Sequence, residues 1–330
     1  MSETTVAPTP LRSHTARGTA VAGLGIALPA TVVPNATIAE RLGVEEDWIV
    51  SRTGIRERRW LAEGESLADL SVRAAQAALD DAGASAGDVD CVLIATCSPD
   101  DLIPSLAPAV AAKLGAVRAA AMDVGAACTG FLAAAQVAGG MLEAGRAESV
   151  LVIGAEALSR MTDPDDRGTA AIFADGAGAV LFTATTGAGE LGPVIMRADG
   201  SRDLLFASRE RGVIEMEGRE VFKHAVARMA EATHQACAAS GTALEDIDLF
   251  VYHQANTRII DAVGRRLGLD LARVVDCIGL YGNVSAASLP LALATARDEG
   301  RLPDGARVLL SAFGAGFAWG ATVLDWRSTA

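Results

Sequence analysis

The chain has 330 residues, of which 51% are hydrophobic and 21% are charged. This composition is typical of a globular protein with a large core, and it excludes a largely disordered chain. The formal net charge of -13 argues against general nucleic-acid binding and leaves room only for local basic patches.

The cysteines and histidines exclude further classes. Five cysteines and four histidines show no spacing typical of a disulfide framework or a metal site, so we expect no metal and a reducing cytoplasm as the location. No apolar run is long enough to span a membrane, and residues 1–17 lack the apolar core of a signal peptide. We interpret residues 1–18 as a disordered tail.

The first predicted elements are a strand over Thr19–Leu28 and a helix that begins at Ser66 and runs to Gly83. Ser66 and Asp69 have the spacing of a capping box. Between these elements, residues 46–60 concentrate arginine and tryptophan in an otherwise acidic protein. Guanidinium and indole groups favour a phosphorylated or adenine-bearing ligand, and the alternative is a solvated surface loop.

The alternation of strands and helices continues along the chain. Apolar runs predict strands over 89–96, 119–124, 149–154, 172–182 and 249–252, and helices over 105–114, 131–142 and 285–299. We expect Gly176-Ala177-Gly178 to break the fourth of these strands.

The second half of the chain repeats the first. Ala78–Asp90 aligns without gaps to Ala236–Asp248, and each segment follows a helix and precedes an apolar strand. Gly176-Ala177-Gly178 is echoed by Gly314-Ala315-Gly316, which we expect to interrupt another strand. Alternating elements predict a mostly parallel sheet, here duplicated. We therefore predict two halves, residues 19–187 and 188–330, whose sheets pack through shared helices.

Three side chains are candidates for chemistry. Cys128 lies among small residues where a predicted strand turns into a helix, and the positive helix end favours a thiolate that an acyl group could modify. The alternative is a buried structural thiol. His253 follows a predicted strand, where open α/β sheets place ligands, and Asn283 precedes a helix. Taken alone, these two could be a structural histidine and a helix cap.

Four motifs occur in order along the chain: GAACTGF, HQAN, YGNVSAAS and AFGAGFAWG. Together they resemble the ketoacyl synthase III branch of the thiolase-like condensing enzymes, and the likeness extends from about Thr19 to Trp326. The resemblance implies an α/β, five-layered αβαβα fold, a homodimer and a catalytic triad of Cys128, His253 and Asn283.

The resemblance also implies a reaction. Cys128 takes the acyl group of an acyl-CoA, which is a substrate rather than a cofactor, and the backbone amides of Cys128 and Ala315 form the oxyanion hole. His253 and Asn283 stabilise the enolate left when malonyl-ACP loses CO2. The enolate then attacks the acyl-cysteine and starts a fatty-acid or polyketide chain. The alternative is an acyltransferase of specialised metabolism that passes the acyl group to an alcohol or amine of a small molecule without condensation.

The remaining site residues are assigned by what the resemblance implies they contact. Coenzyme A and pantetheine are expected to contact Trp48, Arg52, Arg167, Gly218, Phe222 and Asn256. The acyl pocket is expected to contain Ile103, Leu158, Phe173 and Phe313, with Ile103 reaching it across the dimer. Acyl carrier protein is expected to dock on Lys223, Arg258, Arg265 and Arg266, because a cationic patch suits an acidic carrier.

The chain departs from the family pattern at three positions. Val284 replaces a common threonine and Ala315 a common glycine, and neither change removes a catalytic group. Ile103 replaces the phenylalanine of some relatives, which predicts a roomier pocket for a longer, branched or aromatic acyl group.

Overall fold

The computed structural model describes residues 17–187, 189–201, 204–207 and 212–327. Most of the predicted tail, residues 1–16, lies outside the described residues. Arg17 and Gly18 do not belong to a tail, because they pair with Thr186 and Thr185 in the first strand. Among the described residues, no helix combines the length and the hydropathy that a membrane crossing requires.

The helices and strands follow the predicted alternation. In residues 17–187 the strands are β1 (Arg17–Ala27), β2 (Thr31–Pro34), β3 (Glu57–Trp60), β4 (Cys91–Ala95), β5 (Ala120–Val124), β6 (Ser149–Ala157) and β7 (Asp175–Thr186). The helices there are α1 (Asn35–Leu42), α2 (Glu46–Thr53), α3 (Leu67–Ala82), α4 (Leu106–Leu114) and α5 (Gly130–Glu143). Later strands are β8 (Ile195–Ala198), β9 (Leu205–Ala207), β10 (Ile214–Met216), β11 (Leu249–Tyr252), β12 (Arg307–Gly314) and β13 (Ala318–Asp325). Later helices are α6 (Gly218–Ser240), α7 (Thr257–Leu267), α8 (Ile278–Tyr281) and α9 (Ser288–Asp298).

Each half contributes one large sheet built on the same plan. The first has the order β1-β7-β6-β4-β5 and the second β11-β12-β13-β8. Val274 extends the second sheet by a parallel bridge to Phe250, at the place that β5 takes in the first. Strands β7 and β13 run antiparallel to both neighbours, so the sheets are mixed rather than mostly parallel.

Five layers result from the packing of these sheets. One apolar core joins the inner faces of both sheets through α5 and α9. A second core joins the outer face of the first sheet to α3 and α4, and a third joins the outer face of the second sheet to α6 and α7. The order is therefore αβαβα, as the resemblance implies. Strand β4 shows why, since Leu93 faces the central helices and Val92 and Ile94 face the outer ones.

Gly176-Ala177-Gly178 does not break a strand, because these residues lie inside the continuous strand β7 and pair with β1 and β6. Small residues are needed there because α9 packs closely on the strand: a Cβ on Gly178 would lie 2.7 Å from Pro290. The prediction that Gly314-Ala315-Gly316 interrupts a strand in the same way is also wrong. That segment ends β12 and turns into antiparallel β13, so it does not interrupt one strand.

Residues 46–60 form α2 and β3 rather than a solvated loop. The anchor of this region is Arg58, whose guanidinium is fully buried and donates to Asn35 Oδ1 at 2.8 Å and to the Ala171 carbonyl at 2.8 Å. Burial lowers the pKa of Arg58 to about 10. The predicted helix cap is also present, since the Ser66 hydroxyl accepts from the Asp69 amide at 3.0 Å.

Candidate active site

A cavity of about 670 Å³ is lined by side chains that follow strands β5 and β11 and by a side chain near the end of β12. Cys128, His253, Asn283 and Phe313 line its buried end, and none of them is more than 8% exposed. Exposed or half-buried members of the lining, such as Trp48, Arg52 and Lys223, mark the opening. The structure therefore brings together the three polar groups that the sequence singles out from distant positions.

Cys128 is held by a tight turn and a close contact. It lies in a 3-10 turn over Ala127–Thr129 that leads directly into α5, as predicted. The end of β12 presses on this turn, because a Cβ on Gly314 would lie 2.8 Å from the Cβ of Cys128. Glycine at this position lets the Ala315 amide come near the sulfur, where it lowers the pKa of the thiol, as the amide of Cys128 itself also does.

Backbone strain is concentrated around this cavity. In the described chain, the residues other than glycine with positive φ are Ala127 at 44°, Ser285 at 44° and Phe317 at 45°. Ala127 precedes the nucleophile candidate, Ser285 follows Asn283 by two positions, and Phe317 packs its ring on Phe313 at 5.2 Å. Such conformations cost free energy and persist where a fixed geometry is required.

The predicted thiolate is not the resting form of Cys128. The pKa of the thiol is raised to about 11, chiefly by burial and also by the Glu156 carboxyl, although Ser285 and the backbone amides of Cys128 and Ala315 lower it. The prediction from the helix end was wrong because it omitted the loss of hydration, which outweighs these donors. Cys128 must therefore lose its proton during the reaction.

His253 and Asn283 present neutral polar groups to the cavity. Burial lowers the pKa of His253 to about 4, so its imidazole is uncharged at neutral pH. The Asn283 side-chain oxygen accepts from the Ser285 amide at 2.9 Å, and no described residue accepts from its Nδ2. The amide thus fixes the turn before α9 with its oxygen and keeps its donor for the cavity.

The open end of the cavity carries the residues predicted to contact coenzyme A. Trp48, Arg52, Arg167, Gly218, Phe222 and Asn256 all line it. The Arg52 guanidinium lies 4.7 Å from the centre of the Trp48 ring, and Asn256 donates to the Arg52 carbonyl at 2.9 Å. Arg167 is anchored by donating to the Leu42 carbonyl at 2.9 Å. Cationic and indole faces therefore meet at this opening.

Two residues predicted for the acyl pocket do not line this cavity in the described chain. Leu158 is buried behind the lining, in an apolar cluster with Ile214 and with Phe173. Ile103 lies between β4 and α4 and is 90% exposed within one chain. Phe173 and Phe313 do line the cavity. The contribution of Ile103 across a dimer stays a prediction.

The residues of the predicted basic patch lie on two helices, Lys223 on α6 and the three arginines on α7. Lys223 and Arg258 line the opening of the cavity, whereas Arg265 and Arg266 lie on the last turn of α7. Lys223 pairs with Glu220 at 2.6 Å and Arg265 pairs with Asp261 at 3.3 Å.

Glu156 and Ser285 adjoin Cys128 and were missed at the level of sequence. Glu156 is fully buried at the end of β6 and burial raises its pKa. The signal was present, because Glu156 is the one charged residue in the apolar run Val150–Leu158.

Comparisons with known proteins agree with this geometry. Residues 122–200 match the family model for 3-oxoacyl-[acyl-carrier-protein (ACP)] synthase III, and residues 237–326 match the model for its C-terminal part. The beta-ketoacyl-[acyl-carrier-protein] synthase III of Rhodobacter capsulatus is 46% identical over 318 residues, covering 93% of this chain and 98% of that protein.

Solved structures give the same result. The 3-oxoacyl-(acyl carrier protein) synthase III of Pseudomonas aeruginosa superimposes with a TM-score of 0.90 at 41% identity, covering 94% of this chain and 98% of that one. A priming beta-ketosynthase from a polyketide biosynthetic pathway superimposes with a TM-score of 0.92 at 33% identity, covering 98% and 100%. The thiolase-like fold, the cavity and the matched motifs agree, and this chain belongs to the beta-ketoacyl-[acyl-carrier-protein] synthase III family.

Proposed function

We propose that the chain condenses an acyl group, carried first by coenzyme A and then by Cys128, with malonyl-ACP. Family membership makes it an acyl-transferring enzyme. The main support for this reaction is the cavity. Cys128, His253 and Asn283 line its buried end, and cationic and indole groups line its opening.

In the first step, the sulfur of Cys128 attacks the thioester carbonyl and expels the thiolate of coenzyme A. The amides of Cys128 and Ala315, which lie near the sulfur in the resting site, are placed to stabilise the oxyanion that forms on the same carbon. Both are main-chain donors, so alanine at position 315 leaves the oxyanion hole intact.

In the second step, malonyl-ACP occupies the same tunnel and loses CO2. His253 and the free Nδ2 of Asn283 donate to the thioester oxygen and stabilise the enolate, which an uncharged imidazole can do without losing its proton. Phe313 presents an apolar wall that disfavours the malonyl carboxylate. The enolate attacks the acyl carbon, the bond to sulfur breaks, and a β-ketoacyl thioester leaves on the carrier.

A second copy of the chain is part of this proposal. Strand β5 is an edge of the first sheet, and large apolar side chains lie exposed near it, including Met122, Val117, Leu102 and Ile103. A homodimer over this edge would cover them and bring Ile103 to the partner's acyl pocket. We also propose a cytoplasmic location, where acyl-CoA and carrier proteins meet.

Intact mass after incubation with a panel of acyl-CoAs tests the function. The wild type should gain one acyl group, lose it on addition of malonyl-ACP and form a β-ketoacyl-ACP. Cys128→Ala should gain none, whereas Cys237→Ala, which removes another buried thiol, should behave as the wild type. Acylation of Cys128→Ala would reject the nucleophile. Discharge to an alcohol or amine and not to malonyl-ACP would favour the small-molecule acyltransferase.

A further inference from the structure

A buried polar cluster adjoins Cys128 and has no part in the two steps above. Its centre is Glu156, a fully buried carboxyl at the end of β6. The turn at residues 285–287 packs against β6 and against the turn that carries Cys128. The approach is close, because a Cβ on Gly154 would lie 2.4 Å from the Ala286 carbonyl oxygen.

Hydrogen bonds show which oxygen of Glu156 can hold a proton. Oε2 accepts from the Ser98 hydroxyl at 2.6 Å and from the Cys97 amide at 3.1 Å, with the Thr96 hydroxyl at 3.3 Å. Three donors therefore point at Oε2, and a carboxyl oxygen accepts hydrogen bonds best when it carries no proton. Oε1 contacts the Cys97 sulfur at 3.4 Å and accepts from no other described residue. Oε1 is therefore free to be protonated.

The Ser285 hydroxyl belongs to the turn that packs against both β6, which carries Glu156, and the turn that carries Cys128. Burial raises the pKa of both the Cys128 thiol and the Glu156 carboxyl, and the Ser285 hydroxyl, which faces each of them, lowers both. Ser285 Oγ is buried and has no described partner of standard hydrogen-bond geometry in the resting site, so its proton can turn toward either group. A hydroxyl that both accepts and donates is suited to pass a proton from one group to the other.

Cys128 is only 8% exposed, so a bound acyl-CoA would leave few acceptors for the thiol proton. Among the described residues, the titratable groups around Cys128 are Glu156, Cys97 and His253. The Cys97 thiol is itself a donor here, because its S–H points at the Glu156 carboxyl at 3.4 Å, so it does not accept the proton. Burial lowers the pKa of His253 to about 4, which makes its imidazole a weaker base, whereas burial raises the pKa of the Glu156 carboxyl and makes that carboxylate a better proton acceptor.

We propose that Glu156 stores the Cys128 proton, through the Ser285 hydroxyl, for as long as the acyl group occupies the sulfur. During loading, the S–H proton passes to Ser285 Oγ while the Ser285 proton passes to Glu156, the new C–S bond forms, and the thiolate of coenzyme A leaves and takes a proton from solvent at the opening. During condensation, the Cys128 thiolate leaves the acyl carbon and recovers the stored proton by the reverse path. Glu156 acts through Ser285 and is a positioning residue.

The test is the pH dependence of single-turnover loading, followed by rapid quench and intact mass. The probe is the fastest-loading of acetyl-, isobutyryl- and octanoyl-CoA. The wild-type rate constant should be nearly independent of pH between about 6.5 and 8.5, because the acceptor is internal. In Glu156→Gln and Ser285→Ala only the fraction of Cys128 that is already ionised can react, and this fraction rises about tenfold per pH unit. Their loading rates should therefore rise about tenfold per pH unit and lie at least about tenfold below wild type at pH 6.5. Glu156→Asp should restore part of the flat profile.

Two features of the chain keep this test interpretable. Ala127 has the same φ of 44° as Ser285, so alanine at position 285 is compatible with the backbone there. The Ser285→Ala variant therefore tests the relay even if Glu156→Gln does not fold. Ser288→Ala removes a neighbouring buried hydroxyl outside the relay and should keep the wild-type profile. An equal slope in wild type and Ser285→Ala, or a uniform acceleration in Glu156→Gln, would overturn the proposal. The relay rests on the proposed function of Cys128 as acyl acceptor, and acylation of Cys128→Ala would reject that function. Acylation of Cys128 in the wild type, with the same pH profile in all variants, would reject only the relay.

Discussion

Cys128 and Ala286 occupy equivalent turns in the two halves of the chain. Each follows a residue with φ of 44° in a short 3-10 turn that leads into a central helix, α5 in the first half and α9 in the second. Only the first turn carries a thiol. In the second half the path to the turn is longer, and it contains α8 and Asn283. In the proposed reaction, one half therefore supplies the nucleophile and the other supplies hydrogen-bond donors.

The carboxyl ends of equivalent strands in the two halves also carry different residues. The registers of β4 with β6 and of β11 with β12 make Ala95 equivalent to His253 and Glu156 equivalent to Gly314. A buried carboxyl thus corresponds to a glycine that admits Cys128. The duplication provides one scaffold twice, and substitutions at equivalent strand ends divide the chemistry between the halves.

The largest effect is expected where the two halves touch. Gly314→Ala places a Cβ 2.8 Å from the Cys128 Cβ and 2.9 Å from its nitrogen, so the turn or the strand must move. We expect loading from acyl-CoA to fall by about 100-fold, since displaced donors lose most of their transition-state stabilisation. Gly140→Ala, in α5 with open space around it, should load normally and be slightly more stable. Normal loading by Gly314→Ala would show that this contact does not position the sulfur.

The next prediction concerns His253, whose equivalent in the first half, Ala95, has no titratable group. Burial lowers the pKa of His253 to about 4, below its value in the unfolded chain, so the unfolded state binds the proton more tightly. His253 therefore reduces stability as pH falls from about 6.5 toward 4. Between pH 7 and 4.5, the wild type should lose about 2–3 kcal/mol more unfolding free energy than His253→Gln. Denaturant titrations at both pH values measure this difference, and equal losses would contradict a buried neutral imidazole.

A smaller effect is expected on the surface of the second half. Arg258→Glu with Arg265→Glu should raise the KM for malonyl-ACP several-fold, and the loss should shrink with salt because the attraction is screened over roughly 8–10 Å. Loading from acyl-CoA should change less, because its predicted contacts are Trp48, Arg52 and Arg167. The same charge change on first-half helices, in Arg73→Glu with Lys113→Glu, is the matched control. Equal KM changes in both double variants would show that net charge alone is responsible.

The sequence predicts the layers of the fold and the residues of the triad for different reasons. Periodicity and turn residues locate β4, α3 and α5 within a few positions, and the motifs identify Cys128, His253 and Asn283. Three features needed tertiary information. The pKa of Cys128 depends on burial, the continuity of β7 through its glycines depends on α9, and the proximity of Glu156 to the sulfur depends on a turn more than 100 residues away.

The division between the halves is tested most directly by measuring both steps on Asn283→Ala. Quenched-flow mass spectrometry gives acyl loading on Cys128, and CO2 release from malonyl-ACP gives decarboxylation by the same preparation. Loading should stay within a few-fold of wild type, because its oxyanion donors are backbone amides, whereas decarboxylation should fall by about 100- to 1,000-fold, as for the loss of one transition-state donor. An equal loss in both steps would contradict the account, since Asn283 would then maintain the site as a whole and not serve the second step.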